Sequence, residues 1–298
     1  MRLCWNDSLG GPLRNMKLEE AKFIYNIGYR VAGINAGDTE ATDADIEHAR
    51  HIMEEVGLVP GPYGLSASAI RSDKAEQKVH KEKIARALKI AGKLGCTGLR
   101  YSVGSLHPKD IWMHHPANIT QKALDELIVS TKELVPIAED SNCMLCPETS
   151  QWTIVNSIER MKEFVDRLDS PYVKIIFDPV NHMTYDRVYD SGRYMKCAVA
   201  FLGDRIGEFH VKDVIVEDKQ LVSHIDEAPM GKGVLDHEAL IRVSNQLEPW
   251  KTFSLEHISD RNLIKAAFDH IQGVADRIGH KWTDPHCTRD RWTKGECQ

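Results

Sequence analysis

No stretch of the 298-residue chain approaches 18 consecutive apolar residues, so no segment reads as a membrane span. The N-terminus, Met1-Arg2-Leu3-Cys4-Trp5-Asn6-Asp7, lacks the apolar run of a secretion signal, and a cytoplasmic location is the expectation. Lysine and arginine form no dense cluster, and 38 basic residues face 44 acidic ones, for a net charge of −6 and a pI near 6.2. That balance excludes a phosphate-backbone footprint and with it a nucleic-acid partner. No second Cys-x-x-Cys accompanies Cys143-x-x-Cys146, so a complete thiolate zinc site is excluded. The pair falls in a predicted strand, where residues three apart face opposite ways, and two packed, reduced thiols are expected. Seven cysteines, an odd number in a long chain, favour a reducing compartment over a disulfide scaffold. Gly231-Lys232-Gly233 lacks the strand-to-helix surroundings of a phosphate-binding loop and reads as a flexible loop. Element spacing is too irregular for a short solenoid repeat.

What is present is an ordinary globular composition, 42% apolar and 28% charged. Helical spacing of apolar residues, closed by glycine or opened by Thr, Asp or Ser, predicts helices over 18–27, 42–56, 73–94, 119–140, 154–168, 186–202, 236–247 and 261–278. Between them, short apolar runs predict strands at 3–5, 30–35, 58–65, 98–103, 144–148, 174–178, 206–211 and 251–256. The third is weakened by Pro60 and Pro62, which cannot donate to a ladder. Residues 213–235 read as a long loop. Eight strand–helix units in one chain predict a single-domain (β/α)8 TIM barrel over 1–280. Residues 281–298 are charged and aperiodic, a C-terminal extension that packs elsewhere or frays.

Four of the predicted strands stop on a metal-type ligand: Glu148, Asp178, His210 and Glu256. A parallel barrel gathers its strand ends on one rim, where such folds keep their chemistry. Three carboxylates and an imidazole there make an oxygen-rich site for a divalent ion, and the chain reads as a metal-dependent enzyme.

The sequences around those residues carry a resemblance. Pro147-Glu148-Thr149, Phe177-Asp178-Pro179-Val180-Asn181, Phe209-His210-Val211-Lys212-Asp213, Gly231-Lys232-Gly233 and Leu255-Glu256-His257 occur in the order found in the xylose isomerase-like barrel superfamily. The chain resembles in particular its sugar phosphate isomerase/epimerase branch. The resemblance implies that Glu148, Asp178, His210 and Glu256 hold one divalent ion: Mn2+ in the first place, with Mg2+, Co2+ or Zn2+ as alternatives. It also implies that Glu148 and Glu256 exchange protons with a carbohydrate substrate. A metal bridging a ketone oxygen and a neighbouring hydroxyl acidifies the C–H between them and stabilises the enediolate that follows. A dimer or tetramer is a further implication.

The chain also departs from the epimerase pattern. Ile154 and Val216 stand where those enzymes place a second glutamate and an arginine, and Asn181 stands where they place a histidine, with His182 next. The departures leave room for isomerisation, dehydration or elimination from a 3-oxo sugar, as a lyase or deglycosidase would perform it. Strand alternation turns Lys212 inward with His210. It also turns Arg100 inward, where a buried guanidinium needs a carboxylate such as Glu208. Lys212, Arg100, Asn181 and His182 are therefore candidate substrate contacts. His107, with His114 and His115, lies in a predicted lid loop and is a further candidate. An abasic-site endonuclease, which shares the barrel, would need more histidine and carboxylate ligands than these and a less acidic chain. A barrel that binds without catalysis is the other rival, and the ligand set argues against it.

Overall fold

The computed structural model describes residues 1–297 except 7, 8, 10, 35, 36, 218–220, 223 and 259. Asp7, Asn35 and Gln298, which the predicted segments include, lie outside the described residues. The strands are β1 (Arg2–Trp5), β2 (Val31–Ile34), β3 (Val59–Ser68), β4 (Gly98–Ser102), β5 (Met144–Glu148), β6 (Ile175–Phe177), β7 (Ile206–Val211), β8 (Asp213–Glu217), β9 (His224–Ala228) and β10 (Thr252–Leu255). All but β8 and β9 close into one parallel barrel, β10 pairing with β7 on one side and β1 on the other. The surrounding helices are α1 (Leu18–Ile27), α2 (Asp43–Val56), α3 (Lys74–Leu94), α4 (Gln121–Lys132), α5 (Val135–Asp140), α6 (Ile158–Leu168), α7 (Tyr185–Val188), α8 (Ser191–Leu202), α9 (His237–Ser244) and α10 (Arg261–Arg277); α11 (Arg289–Thr293) lies in the tail. The TIM barrel expected from the sequence is the fold observed.

Alternation sorts the strands into two faces. On β5, Leu145 joins the main core beneath the helices, while Met144 and Cys146 point inward to a second cluster with Ile176 and Trp250. The helices meet the barrel through apolar stripes. On α6, Met161, Phe164, Val165 and Leu168 are buried at helical spacing, and the Ser157 hydroxyl accepts the Arg160 N–H as N-cap. Cys143 and Cys146 fall in different clusters and are unbonded, and burial pushes both thiols up.

Three expectations change, and the strand weakened by prolines holds. The helix predicted over 119–140 is two helices, because Pro136 has no N–H to give and its ring crowds the preceding turn. The helix predicted over 186–202 breaks at 189–190. A Cβ at Gly192 would lie 2.7 Å from the Asp236 carboxylate, so glycine there permits a close approach. β3 accepts both prolines where its register against β2 shifts, between Ala32 and Ile34. The loop predicted over 213–235 contains two strands: β8 and β9 form an antiparallel hairpin over the C-terminal rim. Asp213 anchors it, its carboxylate accepting the N–H groups of Val214, Gly231, Gly233 and Leu235. Gly231-Lys232-Gly233 thus wraps an internal anion and is held rather than flexible.

The tail does not fray. It crosses the N-terminal mouth of the barrel, where the Met1 amino group donates to Thr283 and Arg2 donates to the Pro285 carbonyl. Cys287 packs on Met144, Cys146 and Trp250 and is joined to Cys297. That disulfide corrects the expectation of fully reduced cysteines; the other five are free. Among the described residues no helix is long and apolar enough to cross a membrane.

Candidate active site

Each strand delivers its inward residue to the rim. Glu148 ends β5, Asp178 follows β6, His210 is the fifth residue of β7, and Glu256 follows β10. The turn after β6 fixes Asp178: its Oδ1 accepts the N–H groups of Val180 (2.9 Å) and Asn181 (3.2 Å), leaving Oδ2 aimed at the barrel axis. His210 Nδ1 lies 3.0 Å from Glu256 Oε1 and 3.3 Å from Glu148 Oε1. Its other ring nitrogen backs onto Glu208, 3.7 Å away. One ligand atom from each of the four residues falls within 4.8 Å of all the others.

The donor set fits a divalent ion. Asp178 Oδ2, His210 Nδ1 and Glu256 Oε1 are buried and make no directional hydrogen bond, although each lies within ion-pair distance of a neighbour. The Asn6 side-chain amide lies 3.2 Å from the second nitrogen of the imidazole and orients the ring, as outer partners of metal-binding histidines do. Three carboxylates converge there, and a divalent ion would offset their charge beside the Lys212 ammonium and the Arg100 guanidinium. The protein's own charges compete for the same role. Burial opposes ionisation of His210, but Glu256 and Glu148 beside it push its pKa up to about 10. Burial likewise disfavours charge on Glu256, yet His210 and Lys212 hold its carboxyl well below the usual range. Burial dominates at Asp178 and raises it to about 6.

Lys212 joins the cluster from above. Its ammonium is 2.8 Å from Asp178, 3.2 Å from Glu256 and 3.3 Å from Glu227, and it donates to Asn181 Oδ1 at 3.0 Å. Asn181 in turn donates to Glu148 Oε1 at 2.9 Å. Arg100 also points inward, but its partner is Glu256 at 3.5 Å rather than Glu208, whose carboxylate accepts from Ser254 instead. A cavity of about 460 Å3 opens over the cluster, bounded by Glu148, Asn181, Lys212 and His257 below and by Trp112, His114 and Trp152 above. His182 and His107 are not among its lining residues. His182 is buried behind Thr149, whose hydroxyl lies 2.9 Å from its Nε2. His107 takes the Lys109 N–H within its own loop, so His114 is the histidine this loop brings to the cavity.

Three site residues were not read from the sequence. Asn6 donates to Glu256 Oε2 at 3.2 Å; its inward parity with Arg2 and Cys4 was available as a signal. Glu227 comes from β9, and its carboxylate lies 2.8 Å from His257 Nδ1. His257 sits in the left-handed region at φ 60°, a conformation that costs about 1–3 kcal/mol outside glycine and is held where a site needs it.

His182 carries a prediction. Burial, with the Arg187 charge adding to it, lowers its pKa from 6.5 to about 3, so the unfolded chain takes up a proton first. The stability His182 contributes is complete above about pH 6.5 and is lost as pH falls toward 3. The expected slope in metal-chelated protein is up to about 1.4 kcal/mol per pH unit. Urea unfolding at a series of pH values should show that slope flattened in His182→Gln; an unchanged slope would count against this assignment.

The sequence and the fold were compared with known proteins. A family model described as xylose isomerase-like TIM barrel matches residues 22–275. No curated protein matches the chain in sequence. Among solved structures, D-psicose 3-epimerase from Clostridium cellulolyticum H10 with D-tagatose superposes with a TM-score of 0.69 at 15% identity, over 92% of this chain and 99% of that one. The 3-keto-D-glucoside 4-epimerase of E. coli gives 0.67 at 16% identity, over 93% and 99%. A xylose isomerase-like TIM barrel protein from Mycobacterium smegmatis in complex with magnesium gives 0.67 at 14% identity, over 92% and 96%.

Proposed function

Because the chain belongs to the xylose isomerase-like TIM barrel family, we propose that it is a metal-dependent sugar isomerase or epimerase. The observation that carries the reading is the pair of carboxylates, Glu148 and Glu256, closing on one imidazole nitrogen from two sides at 3.3 and 3.0 Å. Glu148, Asp178, His210 and Glu256 would hold the ion, Mn2+ in this proposal. A divalent ion there supplies Lewis acidity toward a substrate carbonyl and so acidifies the neighbouring C–H.

The residues of the chain do the rest. Glu148 borders the larger cavity, where Asn181 orients it as an acceptor for a substrate proton. Glu256 lies across the cluster and returns a proton from the other side. Lys212, buried yet bordering the cavity, donates to a substrate oxygen and stabilises charge that develops on it. Trp112, Trp152 and His114 wall the cavity and hold water away. The substrate in this reading is a small carbohydrate, and the enzyme is a cytoplasmic dimer or tetramer.

One observation favours a second reaction on the same scaffold. Ile154 is fully buried in the core and Val216 packs against that core, so the glutamate and arginine that epimerases hold at those positions are replaced by packing. Elimination from a 3-oxo sugar, by a lyase, deglycosidase or dehydratase, needs less of that polar frame. Incubating Mn2+-loaded protein in D2O with ketoses and with 3-oxo glycosides separates the two. Epimer or isomer interconversion with solvent deuterium at the carbon beside the carbonyl is the expected result, and release of an aglycone would support elimination. An active enzyme that leaves the substrate hydrogen in its product would rule out the two-base exchange between Glu148 and Glu256.

A further inference from the structure

A second recess meets the cluster from the other side. It has a volume of about 280 Å3 and lies between the end of the β8–β9 hairpin and the start of α10. Lys212 and His257 border both recesses, Glu148 borders only the larger and Glu256 only the smaller. Glu227 ties the partition together, 3.3 Å from Lys212 and 2.8 Å from His257. Beyond the partition the walls are apolar: Pro229 and Met230 face Ile258, Leu263 and Ala267. Three further polar residues, Asp213, Lys232 and Asp260, also line it; Asp213 is taken up by the N–H groups of the hairpin end and Asp260 is the N-cap of α10.

The recess is built rather than incidental. Asp213 pins the hairpin end through the N–H groups of Gly231 and Gly233. The bare Cα of Gly231 packs on His270 of α10 so closely that a Cβ would lie 2.5 Å from the ring. Both walls are therefore held against each other with the recess between them. A sugar contacting the ion, Lys212 and Asn181 needs none of this apolar surface, because its hydroxyls require polar partners.

We infer that the site takes a two-part substrate: a sugar over the cluster in the larger cavity, and a compact apolar substituent, phenyl or short alkyl, in the smaller one. The link between the parts passes beside His257, whose left-handed backbone turns its ring toward Glu227 at the partition. This rests on the sugar reading above and narrows its substrate class to sugars bearing an apolar group.

The test is calorimetric binding to Mn2+-loaded protein of a phenyl 3-oxo-glucoside, of free 3-oxo-glucose and of phenol. Ala266 lines the recess from an exposed position on α10, so Ala266→Trp fills it without disturbing the core. Lys265→Trp, on the same helix but outside the lining and paired with Asp269, is the control. The phenyl glucoside should bind at least about tenfold more tightly than the free sugar, since a phenyl ring leaves water for an apolar wall. Ala266→Trp should erase that difference and leave the free sugar unaffected, and Lys265→Trp should keep it. Equal binding of glucoside and sugar in the wild type, or a preference that survives Ala266→Trp, overturns the inference and leaves the sugar reading standing. If neither sugar binds, the sugar reading falls; phenol binding that Ala266→Trp removes would still support an apolar subsite, and its absence would overturn that as well.

Discussion

Turnover should fall by about 10²–10⁴-fold in both Glu148→Gln and Glu256→Gln, and saturating Mn2+ should restore neither. Two losses are combined in each variant. Glutamine removes a charged ligand, which weakens the ion, and it removes a carboxylate that can accept a proton. Excess metal counters the first loss and leaves the second. The surroundings make the variants differ in another readout. Glu256 is held by Arg100 at 3.5 Å, Lys212 at 3.2 Å and Asn6 at 3.2 Å, so Glu256→Gln strips a carboxylate from two buried cations and should also lower stability. Glu148 meets Asn181, a neutral donor, and the shared imidazole, so Glu148→Gln should unfold close to the wild type. Steady-state rates across a Mn2+ titration, with calorimetric unfolding of each variant, check both points. Recovery of one variant at high metal would reduce that glutamate to a ligand and leave a single proton carrier.

Much of this arrangement is written in strand parity. β4, β5, β7 and β10 alternate, and from the alternation follow the inward Arg100, Glu148, His210, Lys212 and Glu256. The barrel follows from counting strand–helix units. What parity cannot reach is anything set by a tertiary contact. The β8–β9 hairpin is a backbone ladder anchored by the Asp213 carboxylate, which gathers four N–H groups, three of them from 18 to 22 residues away. No local pattern in 213–235 announces that. Glu227 was invisible for the same reason: its place over Lys212 depends on the hairpin folding back. The partner of Arg100 was misread because Glu208 and Glu256 both point inward, and only geometry separates a carboxylate one layer down, taken by Ser254, from one on the rim. His257 lies next to a recognised ligand, but its positive φ is a product of the packed rim. The disulfide between Cys287 and Cys297 escaped because an odd cysteine count describes the whole chain and not its tail.

Removing the ammonium at the centre of this network should have the largest effect on stability. In metal-chelated protein, Lys212→Met is expected to cost about 3–5 kcal/mol, the range for stripping one partner from a buried ion pair. Lys212 is almost fully buried and touches Asp178, Glu256 and Glu227, so its loss leaves the buried Asp178 carboxylate without its ammonium partner and Glu256 with only Arg100 and His210. Burial already raises Asp178 to about 6, which shows how little margin the site has for an uncompensated charge. Methionine matches the lysine stem in length, so packing changes little and the effect reads mainly as charge. A divalent ion supplies two positive charges to the same carboxylates, and the destabilisation should therefore shrink when Mn2+ is present. Urea unfolding of wild type and Lys212→Met, each in chelator and in excess Mn2+, gives a four-way cycle whose coupling term isolates this compensation. An equal loss in both conditions would mean that the ammonium and the ion do not share the carboxylates, and the assignment of Glu148, Asp178, His210 and Glu256 as one metal centre would have to be given up.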